Sequence, residues 1–129
     1  MRFLLTPVGS AGDNFPFIGL GAELLRRGHD VTVITSENFA PIVRRLEMNC
    51  VEAITAEEYR SIQDNPDLWH PVKGYKTVMA YAMEQVRRLF KLVRELAEPG
   101  RTVVVSHMLD YASRCIQDKT GLPVVTVQL

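Results

Sequence analysis

The segment best suited to chemistry is a glycine-containing turn near the N-terminus, Gly9-Ser10-Ala11-Gly12-Asp13. Its glycines let the backbone turn sharply and let a ligand approach the main chain. The spacing is neither that of a dinucleotide fingerprint nor that of a phosphate-binding loop, in which Gly-Lys-Ser/Thr follows. Because Asp13 would repel a phosphate at this position, the turn suits a neutral, hydroxyl-bearing ligand better.

Asp13 itself has two compatible interpretations. As a structural residue it caps the helix that follows, by accepting hydrogen bonds from backbone N–H groups. As a functional residue it is a general base in a cleft, although a capping bond would make it a weaker base. The residue types alone leave both interpretations open.

The elements that must position this turn alternate between strand-like and helix-like segments. Strands are predicted at residues 3–6, 31–35, 50–54, 102–105 and 123–127. Helices are predicted at residues 15–27, at 37–46 with a bend at Pro41, and at 75–97. A further helix is predicted to start at the cap Thr55, and another to follow an apolar stripe from Met108 and to end at Gly121. Residues 64–74 are predicted to form a loop, with Gly74 as one of its breakers.

This alternation predicts an α/β fold, a Rossmann-like open parallel sheet of about five strands with helices on both faces. Ligands bind such sheets outside the carboxyl ends of the strands, where the strand order reverses, and the first strand normally lies at that point. The turn at residues 7–14 is therefore the expected site. The fifth strand is expected to have an open edge, which indicates either a covering partner, such as a second copy, or a chain that has been cut.

Composition narrows the possible partners of the chain. Its 129 residues fit one compact domain, and 15 basic residues balance 15 acidic ones. A net charge of zero gives no electrostatic reason to expect nucleic acid as a partner. No segment is long enough to be a transmembrane helix. Cys50 and Cys115 lack zinc-site spacing, so no metal site is expected, and both are predicted to be buried, reduced thiols of a cytoplasmic protein.

Two motifs resemble the opening of glycosyltransferases of families 28 and 1, which include sterol glucosyltransferases, rhamnosyltransferases and enzymes that glycosylate antibiotic aglycones. The first is Thr6-Pro7-Val8-Gly9-Ser10-Ala11-Gly12-Asp13-Asn14-Phe15-Pro16-Phe17. The second is Leu24-Leu25-Arg26-Arg27-Gly28-His29-Asp30-Val31-Thr32. The match is fairly specific because both motifs occur at the expected separation. It is strongest over residues 1–50, and weaker but consistent over 101–129.

The resemblance implies a GT-B fold, in which two Rossmann-like halves face each other across a cleft. The N-terminal half binds the acceptor, and the C-terminal half binds a nucleotide-diphosphate sugar such as a UDP- or dTDP-sugar. Residues 1–129 would then be a single, truncated acceptor-binding domain, inactive alone and without a cofactor or metal. The residue matching Asp13 is the candidate base that deprotonates the acceptor hydroxyl, which displaces the nucleotide diphosphate with inversion.

Further acceptor-binding candidates lie in four places along the chain: Gly9, Ser10, Gly12 and Asn14 in the turn, Trp69 and His70 in the loop, Met83 on the long helix, and His107 after the fourth strand. A loop anchor is as good an interpretation of Trp69, and core packing is a better one for Met83. Related plant-type enzymes place a histidine in the first loop with an aspartate partner near the fourth strand. A dyad in that form is absent here, so His107 either orients a substrate, shuttles a proton or is a structural loop residue.

Two alternatives to an ordinary two-domain transferase remain. The chain could pair with a separate donor-binding protein as half of a split enzyme. It could also be a non-catalytic, flavodoxin-like binding module. Against the latter, flavodoxin-type phosphate loops are rich in Ser and Thr, and this turn contributes Ser10 alone.

Overall fold

The computed structural model describes residues 1–129 and contains five strands and five α-helices. The strands are β1 (Arg2–Thr6), β2 (Asp30–Ser36), β3 (Asn49–Ile54), β4 (Thr102–His107) and β5 (Val124–Val127). The helices are α1 (Ala11–Arg26), α2 (Ala40–Arg45), α3 (Ala56–Gln63), α4 (Lys73–Leu96) and α5 (Tyr111–Thr120). Short 3-10 turns cover Glu37–Phe39 and Pro66–Trp69. None of the helices combines the length and the apolar composition that crossing a bilayer requires.

All five strands run parallel in the order β3-β2-β1-β4-β5. The chain moves outward from β1 through β2 to β3, and then crosses to β4 on the other side of β1. The strand order therefore reverses at β1, as the sequence predicts, and the α/β fold class is confirmed. Because Thr6 pairs with Ser106, the carboxyl ends of β1 and β4 lie level with each other.

Two apolar layers enclose the sheet, because neighbouring residues of a strand point to opposite faces. On one face Leu4 packs in a cluster with Leu89 and Val93 of α4 and Ile116 of α5. On the other face Leu5 packs with residues of α1 and α2, including Phe17, Ile18 and Val43. The predicted placement of helices on both faces is confirmed.

Helix α1 begins four residues earlier than predicted, at Ala11 instead of residue 15. The amide nitrogen of the buried Asn14 donates to the carbonyls of Gly9 and Ser10, at 3.1 and 2.9 Å. The Thr35 hydroxyl donates to the amide oxygen of Asn14 at 2.5 Å. These bonds, two of them local and one from β2, hold a Gly-Asp-Asn segment of low helix propensity in the first turn of α1. Pro16 consequently lies inside the helix and not in its first turn.

Helix α4 also begins earlier than predicted, at Lys73, so Gly74 lies in its first turn and does not break the chain. A Cβ on Gly74 would lie 2.6 Å from the carbonyl oxygen of Leu68. The glycine therefore permits α4 to pack directly against the preceding 3-10 turn. The predicted loop is mostly this turn and the start of α4.

The two cysteines differ from expectation. Cys50 on the edge strand β3 is half-buried, and Cys115 on α5 is exposed. The prediction of two buried thiols is therefore wrong. Position 115 lies on the outer face of α5, whereas Ala112 and Ile116 occupy the inner face.

Candidate functional site

A cavity of about 360 Å³ opens beside the turn that joins β1 to α1. Five segments form its walls: Gly9, Ser10 and Asp13; Tyr59, Ile62 and Gln63 of α3; Leu68 and Trp69; Val78 and Tyr81 of α4; and Leu109 after β4. Seven of these 11 residues are hydrophobic, and Asp13 is the one charged residue among them. The cavity thus combines apolar walls with a single carboxylate, at the end of the sheet where the strand order reverses.

The turn approaches the Asp13 carboxylate closely at Gly9. Gly9 has a φ of +130°, and a Cβ built on it would lie 2.3 Å from Oδ2 of Asp13. A side chain at this position would be strained and would collide with the carboxylate. Glycine here therefore sets where the carboxylate lies against the cavity wall.

Asp13 is the third residue of α1 and reaches back to the cap residue Ser10. Its Oδ2 accepts the backbone N–H of Ser10 at 2.7 Å and the Ser10 hydroxyl at 3.0 Å. The Asp13 side chain keeps 31% of its surface exposed, and its Oδ1 lies 3.3 Å from Nε2 of His107. One oxygen is thus occupied by the helix cap and the other lies beside His107, while the residue as a whole lines the cavity.

His107 is the last residue of β4 and not a loop histidine, and its side chain is only 3% exposed. Its Nδ1 accepts the backbone N–H of Leu109 at 3.2 Å. The ring centroid lies 6.1 Å from that of Phe17. The structure therefore pairs an aspartate of the first turn with a histidine at the end of β4, the reverse of the plant-type order.

Four of the candidates predicted from the sequence line the cavity. These are Gly9, Ser10, Asp13 and Trp69, although Trp69 remains 83% exposed. His107 lies behind Asp13 without lining the cavity. Trp69 thus contacts the cavity from a position where its indole is also free to meet a bound molecule.

The other four candidates lie outside the cavity lining. Asn14 is buried and fixes the start of α1, and Gly12 lies exposed in its first turn. Nδ1 of His70 accepts the N–H groups of Val72 and Lys73 at the start of α4, at 3.1 and 3.2 Å. Met83 is 57% exposed on α4, so the interpretation of Met83 as a core residue is wrong.

Sequence reasoning missed the helical walls of the cavity. Tyr59, Ile62 and Gln63 share one face of α3, at a spacing of three and four residues. That spacing, directly after the helix cap at Thr55, is the signal that identifies this wall. Burial raises the pKa of Tyr59, with the Asp13 charge as a second cause, and burial raises the pKa of Tyr81 to about 12. Both phenols therefore keep their protons at neutral pH and can donate hydrogen bonds into the cavity.

An ion pair ties the two helical walls together. Arg88 of α4 donates to both carboxylate oxygens of Glu58 on α3, at 2.9 and 3.0 Å, and to the carbonyl of Ala53 at 2.6 Å. Hydrogen bonding from Arg88 lowers the pKa of Glu58 to about 2. The pair therefore fixes α3 against α4 on one side of the cavity.

We expect Glu58 to add a measurable acid dependence to stability. Its folded-state pKa of about 2 lies below the reference value of 4.5, so its contribution is present above pH 4.5 and is lost as the pH falls toward 2. Because both side chains of the pair are 42% exposed, the contribution is at most about 1 kcal/mol. Urea unfolding followed by circular dichroism should show Glu58→Gln less stable than the native chain at pH 7 and equal to it near pH 2.

Glu57→Gln is the matched control, since Glu57 is the exposed neighbour of Glu58 and forms no ion pair. Because Glu57 also lies in the first turn of α3, this control carries the loss of a helix-end charge without the ion pair, and its pH-dependent difference from the native chain should be smaller than that of Glu58→Gln. If the difference in unfolding free energy between Glu58→Gln and the native chain is the same at pH 2 as at pH 7, the effect comes from packing and not from charge.

A buried carboxylate that the sequence analysis missed supports the other side of the site. Asp110 caps α5 and accepts the Thr6 hydroxyl at 2.5 Å and the Ser113 N–H at 3.1 Å, together with the Ser113 hydroxyl. It links the end of β1 to the β4–α5 turn, which carries His107 and Leu109. The signal was the Asp-x-x-Ser pattern of a helix cap at residues 110–113.

Comparison with known proteins gives one family for most of the chain. Residues 3–106 match the model of the glycosyltransferase family 28 N-terminal domain. The O-mycaminosyltylonolide 6-deoxyallosyltransferase of Streptomyces fradiae is 36% identical over 88 residues, which are 68% of this chain and 17% of that protein.

Solved structures share the fold. The calicheamicin glycosyltransferase CalG4 matches with a TM-score of 0.73 and 20% identity, over 98% of this chain and 32% of that one. The Streptomyces sp. SF2575 glycosyltransferase SsfS6, solved with thymidine diphosphate, matches with a TM-score of 0.68 and 18% identity, over 99% of this chain and 38% of that one.

This chain is much shorter than the curated relatives that it matches. It spans between 4% and 32% of the length of the curated relatives that it matches. The family model nevertheless covers most of the chain, including the turn with Asp13 and four of the five strands. The chain belongs to the glycosyltransferase family 28 N-terminal domain family, and its fold is the Rossmann-like α/β fold of GT-B glycosyltransferases.

Proposed function

We propose that this chain is the acceptor-binding half of an inverting glycosyltransferase, which moves a sugar from a nucleotide-diphosphate sugar to a hydroxyl of a small, apolar acceptor. The observation that carries the proposal is the single carboxylate, Asp13, in the wall of a mostly apolar cavity at the switch point of the sheet. A pocket of this kind, apolar with few polar groups, is typical of sites for small organic molecules.

The chemistry assigned to Asp13 is general-base catalysis. The acceptor hydroxyl donates a hydrogen bond to Oδ1 of Asp13. As its oxygen forms a bond to the anomeric carbon of the sugar, the bond from that carbon to the nucleotide diphosphate breaks, and the hydroxyl proton passes to Asp13. Attack on the face opposite the leaving group inverts the anomeric centre.

The donor is assigned to the second half of the transferase. The cavity of this chain has one charged residue and it is an acid, which disfavours a diphosphate there. A UDP- or dTDP-sugar is the expected donor, supported by the thymidine diphosphate bound to SsfS6. The donor-binding half, in the same or another chain, then supplies the groups that stabilise the departing diphosphate.

The apolar walls indicate the acceptor class. Ile62, Leu68, Val78 and Leu109 offer no charge to a ligand, while the hydroxyls of Tyr59 and Tyr81 and the amide of Gln63 offer neutral polar contacts. A charged acceptor would lose its hydration without gaining an ionic partner other than Asp13. A neutral, largely apolar small molecule that carries a hydroxyl group fits this chemistry.

Trp69, the only tryptophan of the chain, makes the test direct because it lines the cavity. Titration with a neutral aglycone should change its fluorescence saturably, whereas UDP-glucose, dTDP-glucose and FMN should leave it unchanged. The chain alone should transfer no sugar. Saturation by a nucleotide sugar with no response to any aglycone would reverse the assignment, and saturation by FMN would support the flavodoxin-like alternative.

Two substitutions control this titration. Ile62→Arg places a charge in the apolar wall and should abolish the fluorescence change. Leu46→Arg changes an equally apolar residue at the end of α2, outside the cavity, and should bind as the native chain does. Equal binding by both variants would place the aglycone somewhere other than this cavity.

A further inference from the structure

The pair of Asp13 and His107 is built by two neighbouring strands. Thr6 at the end of β1 pairs with Ser106 of β4, so His107 lies one residue beyond the last pair of that ladder. The turn after β1 then carries Asp13 back toward the end of β4, where its Oδ1 lies 3.3 Å from Nε2 of His107. The contact therefore depends on the sheet topology and not on a flexible surface side chain.

The surroundings of His107 fix the tautomer of its ring. Nδ1 accepts the backbone N–H of Leu109 at 3.2 Å, so this nitrogen carries no proton in the neutral ring. The proton of the neutral ring is consequently on Nε2, which faces Asp13. With 3% of its side chain exposed and Phe17 packed beside it, the ring is also shielded from any ligand in the cavity.

We propose that His107 is a positioning residue for Asp13: its neutral imidazole donates the Nε2 proton to Oδ1 and so orients the carboxylate toward the acceptor hydroxyl. This inference rests on the proposed function, which makes Asp13 the base. His107 neither contacts the acceptor nor takes up its proton. The proton removed from the acceptor passes to Asp13, and the Nε2 proton stays on His107 throughout.

Orientation matters here because the carboxylate torsion of an aspartate is intrinsically loose. Ser10 holds Oδ2 through two hydrogen bonds, and Nε2 of His107 lies 3.3 Å from Oδ1 on the buried side. The remaining lone pair of Oδ1 is then free to accept from a molecule in the cavity, which Asp13 lines. Losing one of these donors lets the carboxylate swing, and misplacement of a reacting group by about 1 Å can cost on the order of 100-fold in rate.

A matched pair of substitutions separates the donor role from the packing role. In His107→Gln the amide nitrogen occupies approximately the place of Nε2, so the bond to Asp13 is kept. In His107→Asn the shorter amide occupies approximately the place of Nδ1, so the contact with Leu109 is kept while the donor to Asp13 is lost. In the complete transferase, His107→Asn should lower kcat by about 10- to 100-fold with an almost unchanged acceptor KM, and His107→Gln should stay within about threefold of the native kcat.

A second measurement needs no turnover. Multiple-bond ¹H–¹⁵N spectra of the imidazole in this 129-residue chain should show the neutral ring protonated on Nε2. Substitution of Asp13 by alanine should shift the Nε2 resonance much more than the Nδ1 resonance. A ring protonated on Nδ1, or an Nε2 resonance that ignores Asp13, would overturn the proposal even if the His107 variants fail to fold.

The outcomes for the two proposals differ. Full turnover by Asp13→Asn would remove Asp13 as the base and defeat the proposed function, and the role of His107 with it. Loss of turnover in Asp13→Asn, combined with equal kcat values for His107→Asn and His107→Gln, would leave the function standing and defeat the positioning role alone.

Discussion

Asp13→Asn should lower the kcat of the complete transferase by about 100- to 10,000-fold while leaving the acceptor KM nearly unchanged. The asparagine amide has the size of the carboxylate, and its oxygen can still accept the Ser10 N–H that Asp13 accepts at 2.7 Å. The start of α1 therefore keeps its geometry, whereas the amide nitrogen takes the place of Oδ1 beside Nε2 of His107, and the amide cannot take up the acceptor proton. Steady-state kinetics with the acceptor varied at saturating donor measure both constants.

Asp118→Asn is the control, because Asp118 is exposed on α5 and lies outside the cavity. It should match the native enzyme in both constants. A large rise in acceptor KM with native kcat in Asp13→Asn would make Asp13 a binding group only, and the general base would have to be sought elsewhere in the cleft.

The fold was predictable because its signals are local. Apolar strands separated by amphipathic helices indicate a parallel sheet, and the β1 switch point follows from that architecture. The helix starts were not predictable in the same way. Asn14 lies in α1 because the hydroxyl of Thr35, on strand β2, donates a hydrogen bond to its side chain. Gly74 lies in the first turn of α4 because the Leu68 carbonyl is too close to leave room for a side chain there. Both contacts exist only in the folded chain.

The same limit applies to the site. The turn with Asp13 is a continuous motif, so it could be found directly in the sequence. The pairing of Asp13 with His107 requires the strand order and the register between Thr6 and Ser106, neither of which any short segment encodes. Sequence reasoning therefore rejected a histidine–aspartate dyad in its known order and missed the same two residue types in the opposite order.

Asp110 and Arg88 show how the rest of the fold serves this site. Asp110 joins the end of β1 to α5 and so fixes the turn that supplies Leu109 to the cavity and to His107. Arg88 fixes α3 against α4, whose faces form the apolar walls. Asp110 thus supports both Leu109 in the cavity wall and the surroundings of His107, whereas the Arg88 pair supports the helical walls alone.

Gly9→Ala should destabilise the chain by about 2–3 kcal/mol, because a residue with a side chain is strained at a φ of +130°. It should also lower turnover of the complete transferase at least tenfold, since the new Cβ would lie 2.3 Å from Oδ2 of Asp13 and must displace the carboxylate. Urea unfolding followed by circular dichroism measures the first effect, and kcat at saturating substrates measures the second.

Gly19→Ala is the matched control. Gly19 is exposed within α1, and a Cβ there meets nothing within 4 Å. That substitution should stabilise the helix by about 0.5–1 kcal/mol and leave turnover unchanged. If Gly9→Ala loses stability but keeps native turnover, the carboxylate has an alternative position that is equally productive. In that case the rigid placement of Asp13 by Gly9, Ser10 and His107 would not be what sets the rate.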